Sequence, residues 1–170
     1  EPRPLLKTDI YSYAKATISV VNTALPKTGL MNITEIVENF SYLDEWEDRY
    51  KYVIELGKEL EPMPEVLQVA ANKVTGCASQ VWLSTSVTEQ DGEKILHFLG
   101  NSDAHIVRGL VCITLAIFND KTAREIVDLD AEAIFDKIQL REHISSQRSN
   151  GLNSMLQRIR AEAQNVLESA

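Results

Sequence analysis

From Thr34 onward the apolar positions follow two periods. "TEIVENF" and "LDEWEDRYKYVIELGKEL" place Trp46, Tyr50, Val53 and Leu60 near helical spacing, which predicts two helices, with Asp44 as the N-cap of the second. Pro62 and Pro64 then end it. In "QVWLSTSVT" the period drops to two, with Val81, Leu83, Thr85 and Val87 on one face and Trp82, Ser84 and Ser86 on the other. "KILHFLG" repeats the strand signal, and Asp91–Gly92 between them is a two-residue hairpin turn. A third strand is expected from "QVAANKV", just upstream.

The remainder reads as helix. Ser102 or Asp103 is expected to cap the apolar run ending at Phe118, "TARE" (Thr122–Glu125) is a capping box, and Asp130 caps a further helix. Leu152, Met155, Leu156, Ile159, Ala163, Val166 and Leu167 form one apolar stripe on the last helix. A small antiparallel sheet flanked by helices makes an α+β domain, with no internal repeat and no dividing linker.

Composition narrows the function classes. The 170 residues suit one domain with a real core, and the net charge of -8 repels phosphate backbones, so no nucleic-acid partner is expected. Residues 31–65 alone hold ten acidic and three basic side chains, which a solvated helical face explains. The longest apolar run, "IVRGLVCITLAIF", is interrupted by Arg108 and is too short to span a membrane. Residues 1–30 are read as an N-terminal extension. Within them residues 10–25, "IYSYAKATISVVNTAL", are acid-poor and hydroxyl-rich, which resembles an organellar transit peptide; tag sequence, upstream read-through or a disordered arm are the alternatives. The domain proper is expected over 31–170.

Two cysteines make no disulfide framework, so a reducing compartment is the default. Cys112 lies in the apolar run and reads as a buried hydrophobe. Cys77, in "TGCAS", follows a glycine and precedes two small residues, Ala78 and Ser79, that leave the sulfur uncrowded. With no CxxC, self-contained dithiol exchange is excluded. Cys77 with three dispersed histidines (His97, His105, His143) makes a poor zinc or cluster site, and no phosphate-binding glycine motif is present. A cysteine hydrolase or transferase pairing Cys77 with His97 or His143 stays open, as does a binding module using the acidic face.

The run "VTGCASQVWL" resembles the cysteine motif of the SufE family, the sulfur-acceptor proteins of iron–sulfur cluster assembly. "EDRYKYVIELGKEL", "LGNSDAHIVRGL" and "REHISSQRSNGLNSMLQRIRAEA" are similar to further blocks of that family, in the same order, so the likeness covers about residues 31–168. The resemblance implies an α+β fold shared with the IscU/NifU scaffold group. It also implies a role: accepting a sulfane sulfur from a PLP-dependent, SufS- or CsdA-like cysteine desulfurase, stimulating that enzyme, and passing the sulfur to a SufBCD-like scaffold. The PLP belongs to the desulfurase; no cofactor or metal of the chain's own is implied. Cys77 falls on the persulfide-bearing position, which makes the chain a sulfur-transfer accessory rather than a free-standing enzyme. Arg148 matches the arginine of the closing motif and is expected to favour the thiolate. Gly76 is expected to hinge the loop, Ser79 to border the sulfur, and Gln80 and Asp103 to lie on the partner surface. Val81 and Trp82 are expected to shield the sulfur. A cytoplasmic location is expected, or a plastid or other organelle if residues 1–30 are a targeting segment.

Overall fold

The computed structural model describes residues 32–169, so the expectations for residues 1–30 lie outside it. Two helices come first, α1 (Ile33–Ser41) and α2 (Trp46–Lys58). A strap containing two short 3-10 turns, Glu65–Leu67 and Ala70–Asn72, leads to β1 (Val81–Gln90) and β2 (Glu93–Ser102). Then follow α3 (His105–Phe118), the two-residue β3 (Lys121–Thr122), α4 (Ala123–Asp128), α5 (Ala131–Lys137) and the long α6 (Ser146–Glu168).

The hairpin pairs in the register its alternation dictates, from Val81 opposite Ser102 to Gln90 opposite Glu93. Asp91 (φ 53) and Gly92 (φ 81) both take positive φ, the turn whose twist matches a two-residue hairpin. Val81 and Leu83 of β1 and Leu96 and Phe98 of β2 are buried, while Val87, at the far end, is exposed. The third strand is not formed by "QVAANKV", the segment expected to supply it. Within Gln68–Val74 the Asn72 and Gln68 side-chain amides donate to the Leu67 and Met63 carbonyls, local turns that compete with a ladder. Only Lys73 pairs there, as a single bridge to Trp82. The third place is taken by Lys121–Thr122, beside Leu96 and Ile95 on β2.

Helix α3 is apolar on nearly every face, so it has to be covered all round. It packs on β2, along α2, and against α1 and α6. Gly109 lets α3 cross α2 backbone to backbone: a Cβ there would be driven into the Val53 carbonyl and side chain. From the other helix, a Cβ on Gly57 would stand 2.8 Å from the Gly109 nitrogen.

The capping box at Thr122–Glu125 and the Asp130 cap form as the sequence suggests. Two other caps do not. Helix α2 starts one residue late, with Glu45 rather than Asp44 at the cap position and no side-chain bond there. Helix α3 is preceded by Ala104, because the Asp103 carboxylate is engaged by the backbone N–H of Gln80 and Ser102 Oγ accepts from Ala104 N–H.

His97 pins the strap to the sheet. Its Nδ1 meets Asp120 and its Nε2 meets Glu61, each at 3.0 Å. Hydrogen bonds to Asp120 and then to Glu61 outweigh burial and raise its pKa from 6.5 to about 9. Because the folded value is the higher one, this stabilisation is full below pH 6.5, declines above it and is gone once the pH passes about 9. A rise of that size corresponds to roughly 3 kcal/mol. His97→Gln should therefore lower the unfolding free energy by that order at pH 6. Denaturant titrations should show the gap between wild type and variant closing at pH 10; a gap of constant size would mean that the ion pairs contribute nothing.

Candidate functional site

The strap and the hairpin meet at a short loop. Val74 donates its N–H to the Val81 carbonyl at 2.8 Å, which closes the chain around Thr75–Gln80. At the far side of this loop Gln80 and Asp103 hold each other. The Asp103 carboxylate accepts from Gln80 N at 3.0 Å and from Gln80 Nε2 at 3.4 Å, and Asp103 N donates to the Gln80 carbonyl. Gly76 turns the loop with φ +87, a region that L side chains resist.

That turn lays Cys77 on α6. Its thiol donates to the Gly151 carbonyl at 3.6 Å, and a Cβ on Gly151 would stand only 3.2 Å from the sulfur. The thiol is half-buried, and burial raises its pKa. At rest it is therefore more firmly protonated than a free cysteine. Cys112 differs in kind: it is fully buried in the core and pushed up to about 12.

Beside the sulfur lies a cavity of about 280 Å³. Val107 and Leu110 of α3 and Leu152 and Met155 of α6 supply its apolar wall; Ser79, Ser145, Gln147 and Arg148 supply the polar one. Arg148 is its one cationic side chain. The Arg148 backbone N–H donates to the capping Ser145 hydroxyl, and its guanidinium has no hydrogen-bond partner among the described residues.

The structure thus gathers Cys77, Ser79 and Arg148 around one cavity, while Gly76 turns the loop against Ser154 and Gln80 and Asp103 tie the loop's far side, outside the cavity lining. It corrects the shield. Val81 is buried in the core, the Trp82 backbone pairs with Lys73 of the strap, and neither lines the cavity, whose apolar wall comes from α3 and α6. Neither histidine of the hydrolase alternative lines the cavity: both ring nitrogens of His97 face carboxylates, and His143 stacks on Trp46 at 4.4 Å. Gly151 and Ser154 escaped the sequence reading. Their signal is a pair of small residues, Gly151 and Ser154 in "SNGLNS", beside the start of the apolar stripe at Leu152.

The site is thus one half-buried thiol offered from a loop of an α+β domain, with Arg148 lining the same small cavity. Among the described residues no cluster of three or more His, Cys, Asp or Glu is placed to hold a metal ion, and no helix is long and apolar enough to cross a membrane. Residues 34–163 match the model of the SufE family, an Fe–S metabolism associated domain, and the chain belongs to that family. It therefore acts in iron–sulfur metabolism. An uncharacterized SufE-like protein of Rhizobium meliloti (strain 1021) is 58% identical over 138 residues, covering 81% of this chain and 99% of the relative. A second, from Rhizobium etli, is 55% identical over 134 residues, covering 79% and 90%. The solution structure of a hypothetical protein from Thermus thermophilus shares the fold at 17% identity, with a TM-score of 0.62 over 80% of this chain and 96% of that one.

Proposed function

We propose that the protein is a sulfur carrier that takes a sulfane sulfur onto Cys77 from a SufS- or CsdA-like cysteine desulfurase and delivers it to a SufBCD-like cluster scaffold. The observation that carries this reading is the placement of Cys77: half-buried beside a cavity with one cation, on a loop whose sulfur makes, among the described residues, a single long hydrogen bond, to Gly151. In uptake the Cys77 thiolate attacks the terminal sulfur of the donor's persulfide. The donor's S–S bond breaks, its thiolate leaves, and a new S–S bond forms on Cys77, so no outside oxidant is needed. Delivery repeats the exchange with an acceptor thiolate. PLP chemistry stays with the desulfurase.

Retention and reactivity make opposite demands. The closed loop keeps the sulfur away from solvent thiols but raises the thiol pKa, so docking has to move the loop or bring charge to it. Arg148, the one cationic side chain lining the cavity, is the group we assign to stabilising either anion, thiolate or persulfide, once the loop moves. Arg148→Ala should slow single-turnover sulfur uptake by about tenfold, the scale of one charge-assisted hydrogen bond, while melting within a degree or two of wild type. Uptake at the wild-type rate would remove Arg148 from the mechanism.

The reading is tested by incubating the chain with a cysteine desulfurase, PLP and cysteine, then mapping peptides by mass. A sulfur adduct on the Cys77 peptide, released by dithiothreitol, is expected. An unmodified Cys77 that still reacts with iodoacetamide would overturn the carrier reading.

A further inference from the structure

One face of α6 carries more of the sulfur loop than Cys77 reveals. Gly151, Ser154 and Arg158 stand at i, i+3 and i+7, a single stripe along the helix. The incoming chain runs antiparallel above it: Cys77 over Gly151, Gly76 over Ser154, and the Ala71 to Lys73 stretch over Arg158. The three contacts differ in strength. At Gly151 there is a thiol bond of 3.6 Å, and at Ser154 only close packing, since a Cβ on Gly76 would lie 2.7 Å from Ser154 Oγ. At Arg158 the guanidinium donates from Nη2 to the Ala71 carbonyl at 3.2 Å and from Nη1 to the Lys73 carbonyl at 3.5 Å. Its Nε meanwhile donates to Glu162 one turn on, at 3.1 Å, which aims the group.

From this juxtaposition we propose that Arg158 is a positioning residue that clasps the stem of the sulfur loop and keeps Cys77 closed on α6. The loop has no other charge-assisted hold on α6 among the described residues. Ala71 and Lys73 are both exposed, so without the clasp the stem keeps only uncharged ties there among the described residues: the Lys73–Trp82 bridge, the 3-10 turn and the Asn72 side-chain bond to the Leu67 carbonyl. The clasp places the pivot of opening at Lys73–Val74, upstream of Gly76. The loop then swings outward as a unit, and the Gly76 turn travels with it. Its regulatory meaning rests on the carrier reading: a firm stem lets Cys77 hold a labile sulfur between partners.

The test separates the clasp from the carrier role by needing no sulfur donor. Arg158→Met keeps the aliphatic stem and removes every donor; Glu162→Gln keeps the guanidinium and removes only the ion pair. Iodoacetamide alkylation of Cys77 should rise about three- to tenfold in Arg158→Met, the span allowed by losing a partly exposed charge-assisted bond. In Glu162→Gln it should stay within about twofold of wild type, since the carbonyl bonds remain. Hydrogen exchange should quicken at the Val74 amide and not at core amides such as Ile113. An unchanged alkylation rate in Arg158→Met, an equal rise in Glu162→Gln, or exchange that quickens throughout the core would each overturn the proposal. A second arm loads both proteins with sulfur and follows its loss to dithiothreitol. Faster loss from Arg158→Met is expected, and equal loss from two proteins that differ in alkylation would refute the retention role while leaving the clasp standing. A failure to load wild type at all would tell against the carrier reading alone.

Discussion

Cys77→Ser should take up no sulfur from a desulfurase, and Cys112 should not replace it. The expected effect is complete loss, because the two thiols differ in access and in ionisation together. Cys112 has 0% of its surface exposed, inside a helix covered on every side, and its pKa is pushed up to about 12. Even if a donor persulfide reached it, the thiolate fraction at neutral pH would be on the order of one part in 10⁵. Cys77 is also raised, but by burial alone, and it is only half-buried beside an open cavity. Serine fits the same half-buried position, so the variant should keep the wild-type melting temperature. Intact-mass analysis decides: an adduct on Cys77→Ser, or one mapped to Cys112 in either protein, would sink the assignment.

Gly109→Ala should destabilise the protein by about 3 kcal/mol or more, the cost of forcing an atom into a close-packed helix crossing. At an ordinary helix-interior site the same change stabilises by about 0.5–1 kcal/mol, because alanine is the better helix former. Packing reverses the sign here. The new Cβ would be driven into the carbonyl oxygen of Val53, a backbone atom that cannot rotate aside. The α2–α3 crossing would have to widen, and α3 also packs on β2, α1 and α6. For a domain of this size the melting point should fall by roughly 10 °C. Gly92→Ala is the contrast: nothing lies within 4 Å of its added Cβ, so only the φ of +81 opposes it. That should cost about 1 kcal/mol. Equal melting points for the two variants would show that the crossing is looser than its contacts indicate.

Local patterns were legible where a local cause acts. The hairpin follows from alternation plus Asp91–Gly92, and every pair of its register is in place. The α6 stripe is buried from Leu152 to Ala163, and Val166 and Leu167 pack against its end. The different burial of Cys77 and Cys112 was also readable, since one follows glycine in a loop and the other sits in an apolar run. The misses have long-range causes. Cys77 is enclosed by residues 74 positions away, through a missing Cβ at Gly151, and no window around "TGCAS" contains that information. The expected cap at Asp103 lost to Gln80, a partner 23 residues distant. Strand β3 is two residues long and follows Asp120, which holds φ 60, so it is too short for any period to show.

The far end of the hairpin has a practical consequence. Asp91–Gly92 caps strands of ten residues, and Ser86 to Glu93 are exposed. At about 3.3 Å per residue, this tip stands roughly 30 Å from the end of β1 that leads out of the Cys77 loop. A fluorophore or short epitope inserted there enters a solvated turn, the kind of position that accepts insertions. The hairpin can thus serve as a handle for reporting on partner capture while the thiol and its loop remain untouched.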